Sequence, residues 1–177
     1  MSDIFNQVSL KESKVLKLIA RTGFYVSEYN NNLGISKYVL NNCIRKGLII
    51  EGRLIFLHKK LCKPYFLTEK GIEIVKDKYW IDRYRYNKNQ EEHDFILCKI
   101  YLSLSDMEKE SWLTETSLNM RYQNEFTIDA LYTSRKGEIV GVEVLTSNYS
   151  KNEIALKNRF INKHCDKSIV IKRVDNY

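Results

Sequence analysis

Apolar positions recur with a helical period from residue 9 onward. In S-L-K-E-S-K-V-L-K-L-I-A-R, Val15, Leu16, Leu18 and Ile19 share one broad face. Ser9 with Glu12 three positions on makes a capping box, and Gly23 follows the end, so a first helix is predicted. A second, short helix is expected from Val26 or Ser27 to Asn31. Leu33-Gly34-Ile35-Ser36 then reads as a tight turn in which Ser36 caps a third helix over residues 37–46. In that helix Val39 or Leu40, Cys43 and Ile44 point inward, while Lys37, Tyr38, Asn41, Asn42 and Arg45 lie largely on the other side. Gly47 closes it. Residues 48–50 and 54–57 read as two strands joined by Glu51-Gly52-Arg53, and Pro64-Tyr65-Phe66-Leu67 as a strand entering a helix capped by Thr68.

Past residue 90 the pattern changes. Residues 91–105 are an apolar-rich helix, and 111–115, 126–132 and 139–145 are three strands. Residues 151–163 are amphipathic through Ile154, Ala155, Phe160 and Ile161, and 168–171 close as a strand, giving the order α-β-β-β-α-β. Between the halves, residues 79–90 are dense in Tyr, Trp, Arg and Lys. Such interleaving suits base stacking. The preferred reading is that Tyr79, Trp80 and Tyr84 pack a bridge between domains or against a dimer partner. The expected division is therefore 1–78, a bridge at 79–90, and 91–177.

Charge sharpens this division. The 177 residues carry net +7, but residues 1–90 hold 17 basic and 8 acidic side chains and residues 91–177 hold 12 and 14. An excess of +9 in one half points to an anionic partner such as nucleic acid. With 44% apolar residues the chain can bury a core, and no apolar stretch is long enough to span a bilayer. The opening MSDIFNQVSLKESK has charges where a signal peptide has its apolar core, so a cytoplasmic protein without membrane insertion is expected. Four separated cysteines with no CxxC pair suggest reduced structural thiols.

Three helices, a basic β-ribbon and a further helix resemble the winged helix-turn-helix family. The resemblance lies in Leu33-Gly34-Ile35-Ser36, in Arg45-Lys46-Gly47-Leu48-Ile49, and in Tyr65-x-Leu67-Thr68-x-x-Gly71, and it covers about residues 9–78. It implies a helix that enters the major groove, where Asn suits adenine edges and Arg or Lys suits guanine, and a wing whose basic side chains meet phosphates. The groove candidates are Ser36, Lys37, Tyr38, Asn41, Asn42 and Arg45; the wing candidates are Arg53, His58, Lys59, Lys60 and Lys63.

In the second half, Asp129 and Glu143 fall on neighbouring strands joined through Arg135-Lys136-Gly137, with Glu115 or His93 nearby. Two such carboxylates suit Mg²⁺, which takes oxygen ligands and activates water against phosphate. The arrangement resembles the PD-(D/E)XK, or restriction-endonuclease-like, fold. His93-Asp94-Phe95-Ile96-Leu97, Trp112-Leu113-Thr114-Glu115, Ile128-Asp129-Ala130-Leu131-Tyr132 and Gly141-Val142-Glu143-Val144 are similar to the replication-relaxation family of plasmids and integrative elements, in which a winged helix precedes such a domain. One departure bears on catalysis. The nuclease motif has Lys two residues after its strand Glu, whereas Leu145 stands there here, so a migrated Lys151 or Lys157 would have to replace it.

The expectation is an α+β protein that binds double-stranded DNA with sequence preference as a homodimer. It needs no cofactor, and its degenerate nuclease-like half supplies assembly. The resemblance implies replication, mobilisation or transfer of a mobile element, or regulation of its transcription. Two rivals remain open: a Mg²⁺-dependent nuclease using Glu115, Asp129 and Glu143, and a protein-protein adaptor.

Overall fold

The capping box at Ser9 closes in both directions: Glu12 N–H donates to Ser9 Oγ at 3.3 Å, and Ser9 N–H to Glu12 Oε2 at 2.7 Å. In the computed structural model of the chain, which describes residues 8–27, 35–57, 60–146 and 149–172, this box starts α1 (Leu10–Thr22). Val15, Leu16, Leu18 and Ile19 are buried as the periodicity requires. Gly23 ends α1 at φ 91°, where a Cβ would also press on the Tyr84 ring at 3.1 Å. The chain then enters β1 (Tyr25–Val26), so Val26 belongs to a strand and not to the expected second helix. Residues 28–31 of that helix, with Leu33 and Gly34, lie outside the described residues.

α2 (Lys37–Arg45) is followed by β2 (Ile49–Glu51), β3 (Ile55–Leu57), β4 (Lys60–Cys62), β5 (Pro64–Leu67), α3 (Glu69–Tyr79) and α4 (Glu91–Ser103). β2 pairs antiparallel with β5, Ile49 opposite Leu67, and β1 pairs with the other side of β5. β3 pairs with β4. The two strands read as neighbours around Gly52 thus take different partners.

The junction into α3 explains why its signature needs Thr and Gly. Thr68 Oγ1 donates to the Gly47 carbonyl at 2.6 Å and accepts the Gly71 N–H at 3.1 Å, while Lys70 Nζ donates to the Lys46 carbonyl at 2.9 Å. The start of α3 is clamped onto the end of α2, and Gly71 comes so close that a Cβ would run into the Leu48 carbonyl oxygen. Backbone cannot yield as a side chain can. Gly71→Ala should therefore cost about 1–3 kcal/mol as overpacking, read as a lowered urea midpoint; an unchanged midpoint would contradict this junction.

The domain boundary differs from the expected one. Compact packing divides the chain after residue 102, so α4 goes with the N-terminal unit and not with the C-terminal half. Phe95 of α4 is buried with Phe24, Val26, Leu57 and Cys62, against which Phe66 and Tyr86 also pack. The 79–90 segment is part of the same unit. Tyr84 is buried and its N–H donates to the Ala20 carbonyl at 2.7 Å, and the Tyr86 ring lies 4.7 Å from that of Phe66. Trp80 is instead 87% exposed at the left-handed C-cap of α3. Residues 1–102 hold 18 basic and 11 acidic side chains and residues 103–177 hold 11 and 11, so the whole +7 belongs to the first unit and the second is neutral.

The second unit contains α5 (Asp106–Glu110), β6 (Leu113–Thr114), α6 (Glu115–Arg121), β7 (Ala130–Thr133), β8 (Ile139–Leu145), α7 (Lys151–His164) and β9 (Lys167–Lys172). Its sheet runs β6-β7-β8-β9. The first three strands are antiparallel, and α7 carries the chain back so that β9 lies parallel to β8. The expected 111–115 strand is cut short because Thr114 turns into an N-cap, its Oγ1 accepting the Ser117 N–H at 3.2 Å. Leu118, Ile128, Leu131, Phe160 and Ile161 fill the core between helices and sheet. The architecture is mixed α+β throughout. Among the described residues no helix is long and apolar enough to cross a membrane. None of the four cysteines is in a disulfide, and burial pushes Cys43 and Cys98 up to about 12, which keeps these two thiols unreactive.

Candidate functional site

The first candidate surface is one side of α2. Val39, Leu40 and Cys43 are buried on its inner side, and Ser36, Lys37, Tyr38, Asn41 and Arg45 are exposed on the other. Ser36 occupies the N-cap position but makes no side-chain capping bond. Asn42 is half-buried and its Oδ1 accepts from Arg45 at 2.8 Å, so these two side chains act as one unit.

The helix is anchored from behind. Lys46 Nζ lies 2.8 Å from both carboxylate oxygens of buried Glu12. Burial raises the Glu12 pKa, but Lys46 and the Ser9 hydrogen bonds outweigh it and hold the carboxyl below its ordinary value.

Of the ribbon candidates, Arg53, Lys60 and Lys63 are exposed, whereas His58 and Lys59 lie outside the described residues. Lys63 already holds Glu51 at 3.0 Å, a surface pair of small energetic weight. The ribbon also exposes apolar side chains that the sequence reading did not single out: Leu54, Phe56 and Leu61.

The second candidate is buried. Asp129 precedes β7, Glu143 lies in β8 and Lys157 in α7, and the three are 3%, 1% and 3% exposed. Asp129 N–H donates to Glu143 Oε2 at 3.1 Å, and Val144 N–H to Asp129 Oδ2 at 2.7 Å. Lys157 Nζ stands 2.8 Å from both Glu143 oxygens, but only Oε2 receives a well-directed hydrogen bond; Oε1 has the ionic contact alone. The Tyr149 and Phe126 rings lie 5.0 and 5.7 Å from the same ammonium. Burial, then the Asp129 charge, pushes Glu143 up to about 7 against the opposing pull of Lys157. The two carboxylates overcome desolvation and raise Lys157 to about 12.

Of the two lysines that were candidates to replace the missing motif lysine, Lys157 is the one at the carboxylates. Glu115 begins α6, and His93 belongs to the first unit, its Nδ1 3.0 Å from Asp94 Oδ1. Among the described residues, no three His, Cys, Asp or Glu side chains gather at metal-holding spacing.

A third cluster was missed in sequence. Asp94 Oδ1 also accepts from Tyr84 Oη at 3.0 Å, and burial raises the Asp94 pKa although His93 and Tyr84 oppose it. The signal was available, since Asp94 stands next to the apolar run Phe95, Ile96, Leu97 and Cys98. The cluster ties the 79–90 segment to α4.

No protein family, curated protein or solved structure matches this chain.

Proposed function

We propose that the chain is a cytoplasmic, sequence-preferring double-stranded DNA-binding protein of a plasmid or other mobile element, acting as a homodimer in its replication or transfer or in regulating it. In this reading α1, α2, the β-ribbon and α3 are a winged helix-turn-helix, with α2 as recognition helix and β3–β4 as wing. The observation that carries it is the division of α2: an apolar inner face, and an exposed face of Ser36, Lys37, Tyr38, Asn41 and Arg45 in the unit that holds all the net charge. The replication-relaxation resemblance supports the mobile-element assignment. Footprinting with DNA flanking the encoding gene tests it: discrete protection is expected, and uniform protection or none would contradict sequence preference.

The second unit is read as a restriction-endonuclease-like domain, on its antiparallel strands, returning helix and parallel fourth strand. Lys157 restores the lysine that is absent after Glu143, which is the observation in favour of a nuclease. The donor set does not fit Mg²⁺, however. An ion of that kind requires near-octahedral oxygen ligands, whereas Glu143 is turned to an ammonium and a backbone N–H, Asp129 accepts a backbone N–H, and among the described residues no third carboxylate joins them at metal-holding spacing. The three residues are a charge-compensated core element, and supercoiled DNA should remain intact with Mg²⁺. Cleavage lost in Asp129→Ala would reverse this reading.

A further inference from the structure

The β3–β4 ribbon is built differently from a purely phosphate-gripping wing. Its register sets Ile55 opposite Cys62, Phe56 opposite Leu61 and Leu57 opposite Lys60. Leu57 and Cys62 are buried with Phe24, Val26 and Phe95, which fixes the ribbon to the body by one face. Strand alternation then turns Phe56 and Leu61 outward as a cross-strand pair, and they are 65% and 63% exposed. Single exposed apolar side chains are ordinary. Two large ones side by side on an anchored ribbon form a small apolar edge.

Charge selects the occupant of this edge. Residues 51–63 carry Arg53, Lys59, Lys60 and Lys63 against Glu51 alone, and Glu51 is already held by Lys63. Arg53 is exposed two residues before β3, and Lys60 is exposed at the start of β4, across from Leu57. An apolar edge with a cationic rim is complementary to a groove walled by phosphates and floored by stacked bases. Apolar wedges of Phe and Leu enter minor grooves in this way and partly unstack a base step, bending the duplex.

We propose that Phe56 and Leu61 form such a wedge, entering the DNA minor groove while Arg53 and Lys60 meet the flanking phosphates. The inference rests on the DNA-binding reading and deepens it: the ribbon deforms the duplex, and flexible pyrimidine–purine steps are its preferred points of entry.

The test uses the full chain and a short A·T-rich duplex with a central TA step, labelled with 2-aminopurine at the step and with a donor–acceptor dye pair at the ends. Binding should brighten the 2-aminopurine and raise energy transfer as the duplex bends. Phe56→Ala with Leu61→Ala should lose both signals and bind about tenfold more weakly. The variant should keep the parent's salt dependence, because its phosphate contacts remain. Both side chains are exposed, so an unchanged circular dichroism spectrum and urea midpoint show that the variant is folded; Phe56→Leu should retain part of the signal. Binding by the parent without brightening or bending overturns the wedge and leaves DNA binding standing. No binding to this or any flanking-gene duplex overturns both. A dimer that the double variant splits into monomers, seen by sedimentation, also overturns the wedge and makes the edge a protein interface.

Discussion

Lys157→Met should destabilise the C-terminal unit most at pH above 7, by up to about 3–5 kcal/mol, because there it leaves a buried carboxylate without its counter-charge or forces it to take up a proton. Glu143 is 1% exposed, and Asp129 N–H and Val144 N–H also donate to the carboxylate pair, so the ammonium sits in the core and not at the surface. Adding Glu143→Gln should recover most of the loss, since it removes the stranded charge.

The pH dependence has a definite sign. The folded Glu143 carboxyl sits near 7, above its ordinary 4.5, so between these values the native state holds a proton that the unfolded chain has released. Its contribution to stability is therefore full below about pH 4.5 and is lost as pH rises through about 7. Removing Lys157 removes the main influence opposing that shift. The single variant should thus gain stability more steeply than the parent as pH is lowered from about 8 to about 5.5. Urea unfolding at several pH values measures both effects. A loss under about 1 kcal/mol, or a variant less stable in acid, would contradict a compensated buried pair.

The second large effect concerns the exposed face of α2. Lys37→Ala with Arg45→Ala removes two exposed cations without touching Val39, Leu40 or Cys43, so folding should be unchanged while duplex affinity falls. If a side chain meets only phosphate, its loss weakens all sequences alike and reduces the salt slope by about 1; if it reads a base, discrimination falls by about 1–3 kcal/mol. Arg45 donates to Asn42. Alanine at either position releases the other, so their combined effect should fall short of the sum of the two.

Local signals were the legible part of this protein. The Ser9–Glu12 box, the inward Val39, Leu40 and Cys43, and the Thr68 cap each depend on residues within a few positions of one another, and each is found where the pattern puts it. Non-local pairing was not legible. Nothing near Ile49 in sequence states that its strand partner is Leu67. The change of charge pattern past residue 90 marks a new domain in the sequence, but α4 is placed by Phe95, buried with Phe24 and Leu57 more than thirty positions away. Ser105 and Glu108 spell a capping box in the sequence as plainly as Ser9 and Glu12 do, but α5 is only one turn long and buries no residue, so it has no apolar stripe to go with the box. Lys157 had a readable cue. It lies three residues after Ile154 and three before Phe160 on the apolar stripe of α7, where a lysine requires a buried partner. Which carboxylate it meets depends on β8 and the chain entering β7, and only the fold reveals that.

The central claim, that the basic first unit binds duplex DNA through α2, is tested most directly by the affinity of the full chain for a flanking-gene duplex across salt, beside Lys37→Ala with Arg45→Ala. The logarithm of affinity should fall linearly with that of salt, by about 10³–10⁵ between about 50 and 200 mM if six to ten phosphates are contacted, and the double variant should show weaker binding and a shallower slope. Affinity that is flat in salt and identical in the variant would contradict the claim and make the first unit a protein-protein adaptor.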